Sequence, residues 1–117
     1  MNAEDIRAYC LSKPGVEEGF PFDGSTLVFK VGGKMFALFD VDQFSGVNLK
    51  CDPEWAVELR ERYAGVTPGY HMNKQHWNTV VIDGSFSSAD LIKWIDHSYD
   101  LVFRSLPKKQ QLLISAV

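Results

Sequence analysis

The stretch Thr26-Leu-Val-Phe-Lys-Val-Gly-Gly-Lys-Met-Phe-Ala-Leu-Phe39 limits the fold of this chain more than any other segment. Two runs rich in β-branched and aromatic residues flank Gly32-Gly33, and consecutive glycines reach the positive φ angles that a tight hairpin turn needs. The segment therefore predicts an antiparallel β-hairpin. A two-residue turn sets Val31 opposite Lys34, Lys30 opposite Met35, Phe29 opposite Phe36, Val28 opposite Ala37 and Leu27 opposite Leu38. In that register Leu27, Phe29, Val31, Phe36 and Leu38 make an apolar face fit for a core. Thr26, Val28, Lys30, Met35, Ala37 and Phe39 make a mixed one.

The flanking segments supply the partners of this hairpin. Asn2 caps a first helix, with Asp5 three residues on and Ile6, Tyr9 and Cys10 at helical spacing, and Lys13-Pro14-Gly15 stops it. In Val16 to Phe22, Pro21 restricts the chain to an edge strand or an extended loop. Gly46-Val-Asn-Leu-Lys50 alternates as a further strand, Val47 and Leu49 inward, Asn48 and Lys50 outward. Asp52-Pro53-Glu54 opens a helix whose Trp55, Leu59 and Tyr63 share a face, with Glu58 and Arg62 as an exposed pair and Gly65 as the C-cap. Gly65 to Gly69 is rich in turn residues, and Trp77 to Asp83 reads as a short strand. A long helix begins near Ser87 or Ser88, carries a broad apolar stripe from Leu91 to Leu106 and ends or kinks at Pro107, after which Leu112-Leu113 adds a short helical turn or frays.

The order predicts one α+β domain over residues 1–117, an antiparallel sheet with helices packed on one face. Its 117 residues, 45% apolar and 23% charged, are enough for a core without a disulfide or metal staple. The other sheet face is left free, carrying Lys30, Met35, Phe39, Asn48, Lys50 and, depending on register, Trp77 and Thr79. A net charge of −3 supplies no general attraction to a polyanion, so nucleic-acid binding requires a segregated basic face. The N-terminal segment is acidic where a secretory leader is basic, and no apolar run reaches membrane-spanning length; the expected location is the cytoplasm, with no membrane partner.

The residue types that carry chemistry are not arranged for it. Cys10 and Cys51 belong to no metal or redox spacing, and no G-x-S-x-G elbow occurs. Glu17 and Glu18 are adjacent, which on a strand sends them to opposite faces and rules out a close carboxylate dyad. His71 and His76 supply two imidazoles without further ligands in the motif, so no metal is assigned. Gly32-Gly33 lacks the following helix of a phosphate-binding loop. The expectation is a protein that is not an enzyme and uses no cofactor.

One segment differs in kind. Between Pro68 and Asn78 the chain gathers Tyr70, His71, Asn73, Lys74, His76, Trp77 and Asn78. Aromatic rings stack on bases or apolar ligands, lysine meets phosphate, and asparagine bonds a base edge. The same residues also serve a scaffold, Trp77 as a strand anchor and Asn or His as caps of exposed backbone. Both readings stand at this level.

Several blocks together resemble the MmcQ/YjbR family of small bacterial proteins: Pro21-Phe22, Val28-Phe29-Lys30 with Gly33-Lys34-Met35-Phe36-Ala37, Leu49-Lys50-Cys51-Asp52-Pro53, Pro68-Gly-Tyr-His-Met-Asn-Lys74 with His76-Trp-Asn-Thr79, Ser98-Tyr99, and Leu106-Pro107-Lys108-Lys109. The resemblance implies a CyaY-like fold and a double-wing DNA-binding role, with no catalytic residues to carry over. It does not extend to the iron binding of frataxins, since the first helix carries only Glu4 and Asp5 before Arg7. Two functions follow. One is DNA binding, with Lys30, Lys34, Lys50 and Lys74 on phosphates beside His71, Asn73, His76 and Trp77. The other is binding of a protein or a small ligand on the open sheet face, with Met35, Phe39 and Trp77 as the apolar contact.

Overall fold

The computed structural model describes residues 1–70 and 72–116; His71 and Val117 lie outside the described residues. The chain runs α1 (Ala3–Leu11), β1 (Val16–Gly19), β2 (Thr26–Val31), β3 (Lys34–Asp40), β4 (Gly46–Lys50), α2 (Pro53–Arg62), β5 (Val66–Pro68), β6 (Trp77–Val81), α3 (Ser88–Ser105) and α4 (Lys108–Ser115). The strands form one six-stranded sheet in the order β1-β2-β3-β4-β6-β5, with every adjacent pair antiparallel. This is the α+β architecture expected from the order of elements.

Local chemistry explains most boundaries. Asn2 and Asp5 close a capping box on α1, and Ser87 and Asp90 close another on α3. Asp52 caps α2, with Pro53 at its first position. The helix stops at Arg62 with Tyr63 as C-cap, two residues short of Gly65, which instead sits in a tight turn closed by the Val66 N–H on the Tyr63 carbonyl (3.1 Å) that leads into β5. That strand was not foreseen in the turn-rich segment; it is three residues long and lies at the sheet edge, where Pro68 removes no ladder donor. Among the described residues Arg62 makes no ion pair with Glu58, and its guanidinium lies over the Tyr63 ring at 5.6 Å.

Gly32 and Gly33 have φ of 58° and 80°, as the tight turn requires. Val31 pairs with Lys34 and Lys30 with Met35, but the register then shifts: Phe29 lies opposite Ala37, Val28 opposite Leu38 and Leu27 opposite Phe39. Phe36 is an extra residue, a β-bulge, and one inserted residue exchanges the faces of everything beyond it. The expected faces are corrected accordingly. Phe36, Ala37 and Phe39 all join the main core, whereas Leu38 crosses to the open face beside Val28.

The bulge also interrupts the β3–β4 ladder, which is reduced to Ala37 opposite Leu49 and Leu38 opposite Asn48. A fully buried serine of α3 repairs it: Ser98 Oγ donates to the Phe36 carbonyl and accepts from the Lys50 N–H at 2.9 Å. Buried backbone groups left without partners are costly, so a polar residue belongs here in an otherwise apolar stripe.

Helices α1, α2 and α3 bury one face of the sheet, with Ile6, Cys10, Ala56, Leu59, Leu91, Ile95, Tyr99 and Val102 against Phe29, Val31, Phe36, Val47, Leu49 and Val80. Helix α4 contributes no fully buried residue and touches this core through Ile114, beside Gly15. No helix is long and apolar enough to cross a membrane among the described residues.

Candidate functional site: a cleft on the open sheet face

Cross-strand pairing decides which side chains share the open face. Glu17 lies opposite Lys30, Lys30 opposite Met35, Lys50 opposite Trp77 and Asn48 opposite Thr79. Glu18, one residue on from Glu17, turns the other way and pairs with Arg7 of α1 at 2.8 Å, so the two carboxylates are separated by the sheet. Trp77 is only 8% exposed and packs with Val28 and Leu38, with Met35 and Met72 against them, as a small second core.

Met72 belongs to the loop between β5 and β6, which folds over this face. The loop is held from both sides of the sheet. On the open side, the Tyr70 N–H donates to Thr79 Oγ1 (3.0 Å), and Thr79 Oγ1 donates to Asn48 Oδ1 (2.6 Å). On the helix side, Arg60 of α2 donates from Nε to Asn78 Oδ1 (2.6 Å) and from Nη2 to the carbonyls of Lys74 and Trp77. Within the loop, Asn73 accepts the Gln75 N–H on its side chain and the N–H groups of His76 and Trp77 on its carbonyl. Gly69 is required by close approach, since a Cβ there would lie 2.8 Å from Trp77 Cβ.

The sequence candidates thus divide by location. Asn78, 2% exposed, points beneath α2, where it accepts from Arg60 and its amide approaches the Ala56 carbonyl. His76 accepts the Cys51 N–H on its backbone carbonyl. Lys74 reaches back to the Gly69 carbonyl at 3.4 Å. Lys34 extends toward Ser105 of α3, away from Lys30 and Lys50 on the open face. His71 lies outside the described residues. Tyr70 stands out at 71% exposed. Arg60 was missed by the sequence reading, although its position one turn after buried Ala56 puts it on the inward side of α2.

Between the loop and the β1–β2 connection lies a cleft of about 490 Å³. Leu38, Met35 and Asn48 form its floor, and Tyr70, Met72 and Phe22, the last 64% exposed, stand around it. A smaller recess of about 210 Å³ continues it past Tyr70 toward Gln43 and Ser45; both share Phe39, Asp40, Asn48 and Tyr70. Phe39, assigned from the sequence to the open face, reaches the cleft only from its place in the main core.

Two carboxylates line the cleft. Asp40 Oδ1 accepts the N–H groups of Asp42 and Gln43 at 2.8 and 2.9 Å. Asp23 accepts from the backbone and hydroxyls of Ser25 and Thr26, and the backbone bonds hold it below the usual carboxylate range. Burial pushes the Cys10 and Cys51 thiols up to about 12, so neither is a ready nucleophile. Among the described residues no three His, Cys, Asp or Glu side chains are grouped to hold a metal.

Comparison with known proteins identifies the family and agrees with the fold. The family model described as YjbR matches residues 11–101. The chain is 34% identical over 115 residues to the uncharacterized protein YjbR of Escherichia coli K12, covering 97% of this chain and 98% of that one. It is 38% identical over 109 residues to the uncharacterized protein YbdF of E. coli O157:H7, covering 92% and 89%. The crystal structure of Deinococcus radiodurans protein DR2400 superposes with a TM-score of 0.91 at 39% identity, over 97% of this chain and 88% of that one. A Pseudomonas syringae protein superposes with a TM-score of 0.74 at 27% identity, over 87% and 99%.

Proposed function

The chain belongs to the YjbR family, and from that premise we propose that it is a non-enzymatic binding module whose site is the open sheet face together with the Pro68–Trp77 loop, and that its ligand is a small molecule. One observation carries the reading: the open face keeps a cleft of about 490 Å³ walled by exposed aromatic side chains, although the chain's own loop already covers part of that face. A volume of this size suits a compact organic ligand. The floor is fixed by Trp77, Val28 and Leu38, and the Tyr70 wall by the Thr79–Asn48 relay, which is the preorganisation a binding site needs. The two buried thiols and two turn-capping carboxylates favour binding over chemistry.

A fragment library titrated against ¹⁵N-labelled protein tests this reading. Hits are expected to move the amides of Thr26, Met35, Asn48 and Thr79 together, and to lose affinity in Tyr70→Ala. Hits that spread over the surface without that cluster would remove it.

A DNA-binding role is the second reading, favoured by Lys30 and Lys50 on one face at the hairpin end of the sheet. It has less support, because Lys34 and Lys74 turn elsewhere and Glu17 lies opposite Lys30. Fluorescence anisotropy with duplex and single-stranded DNA at low salt decides it. Binding that weakens with salt and with Lys30→Ala and Lys50→Ala would favour it.

A further inference from the structure

The cleft and the smaller recess meet at Asp40, and the charge around them is of one sign. Asp23 and Asp40 are the charged residues among their described lining residues; no lysine or arginine joins them. Lys30 and Lys50 lie toward the hairpin end of the sheet, whereas Asp40 pairs with Thr26 at the opposite end of the β2–β3 ladder. The rings of Phe22 and Tyr70 are exposed at the cleft, and aromatic faces attract cations electrostatically. Met35 and Met72 add thioether side chains that adapt to irregular apolar shapes.

Resting on the small-ligand reading above, we infer that the cleft takes an organic cation, its apolar body seated over Leu38 and Met35 between Phe22 and Tyr70, and its ammonium or amidinium group directed to Asp40. Asp40 is the specificity-determining residue. Its Oδ1 is committed to the turn at Asp42 and Gln43. An anionic ligand would bring its charge against both carboxylates, so the site discriminates by repulsion as well as attraction. Asp23 at the mouth stays ionised under its backbone hydrogen bonds and adds to the same field.

Three probes of near-equal shape separate the possibilities: 2-phenylethylamine, 2-phenylethanol and 3-phenylpropionate, each titrated into ¹⁵N-labelled protein at low ionic strength. The amine is expected to shift the amides of Thr26, Asp40 and Asn48 and to bind about two- to fivefold more tightly than the alcohol, as an exposed ion pair allows, the propionate binding least. Asp40→Asn keeps an oxygen to accept from Asp42 and Gln43, so the turn survives, and it is expected to erase the difference between amine and alcohol. Phe22→Ala, at an exposed position, is expected to weaken the amine without unfolding the protein. Equal binding of amine and alcohol at these amides, or tighter binding of the propionate, overturns the cation assignment and leaves the cleft as a binding site. An amine preference that persists in Asp40→Asn overturns the role of Asp40. No shift of these amides with any probe overturns the inference, while hits at the same amides in the fragment screen would leave the small-ligand reading standing.

Discussion

Arg60 donates to Asn78 Oδ1 and to the carbonyls of Lys74 and Trp77, so one guanidinium bridges α2, β6 and the loop. Truncation to Ala removes the donor from Asn78 Oδ1, on a side chain 2% exposed, and from the Lys74 carbonyl, while the Trp77 carbonyl keeps the Gly69 N–H. A loss of about 1–3 kcal/mol is expected in urea unfolding, with faster hydrogen exchange at the Gly69 amide, which bonds the Trp77 carbonyl. Arg60→Lys should recover little, because an ammonium has no planar fork to span the three acceptors. A second residue-scale effect concerns His97. Its Nε2 accepts the Asp52 N–H at 3.1 Å, and its ring meets Trp55 edge-on. Burial lowers its pKa, and Arg104 acts the same way against the opposing pull of Asp52 and Asp100. The unfolded chain therefore takes up the proton first, near the ordinary histidine value of about 6.5. The contribution of His97 is complete above that pH and is lost as pH falls toward the lower folded value. Urea midpoints between pH 7.5 and 5 should fall more steeply in the wild type than in His97→Gln.

At the level of elements, the bulge in β3 is coupled to α3. Without Phe36 as an extra residue, β3 would pair regularly, and Ser98 would have no broken ladder to bridge. Ser98→Ala leaves the Phe36 carbonyl and the Lys50 N–H unpaired inside the core, and a destabilisation of about 1–3 kcal/mol is expected from the urea midpoint, with unchanged far-ultraviolet circular dichroism at low denaturant. The hairpin shows why sequence carried this region only part of the way. Gly32-Gly33 marks the turn, and the first two pairs follow from it. Beyond Met35, both Phe36 and Ala37 are apolar, so the alternation fits a regular and a bulged strand equally well. The selection of the bulge needs the packing of α3. Arg60 was invisible for a related reason: an arginine on a helix reads as solvated until its acceptors, supplied by a loop more than ten residues away in sequence, are in place.

For the molecule as a whole, the main core draws on α1, α2, α3 and the sheet, while the small cluster around Trp77 shares strands β2, β3 and β6 with it. Shared strands bind the two faces into one cooperative unit, and unfolding is expected to be a single transition. The three tryptophans offer a direct check, because Trp55 and Trp94 lie on the helix side and Trp77 on the other. In the variant carrying Trp55→Phe and Trp94→Phe, the fluorescence of Trp77 should follow the same urea curve as circular dichroism. Loss of the Trp77 signal at lower urea would mean that the open face and its loop unfold separately. Charge is likewise a whole-molecule property: a net −3 says little by itself, and its local consequence appears when Asp23 and Asp40 collect at the cleft while Lys30 and Lys50 remain at the other end.

The hairpin, the helix caps, the single-face helical layer and the position of an unusual loop were set by sequence alone, because turn chemistry, capping and periodicity act between residues close along the chain. The faces of Leu38 and Phe39, the roles of Arg60 and Ser98, and the separation of acidic from basic residues on the open sheet were decided by tertiary structure. Each depends on which strands or helices meet across long stretches of chain, and those contacts have no signature in local pattern. The segment from Pro68 to Asn78 belongs to both levels: its composition marks it out, and the fold alone aims Asn78 inward and leaves Tyr70 at the cleft.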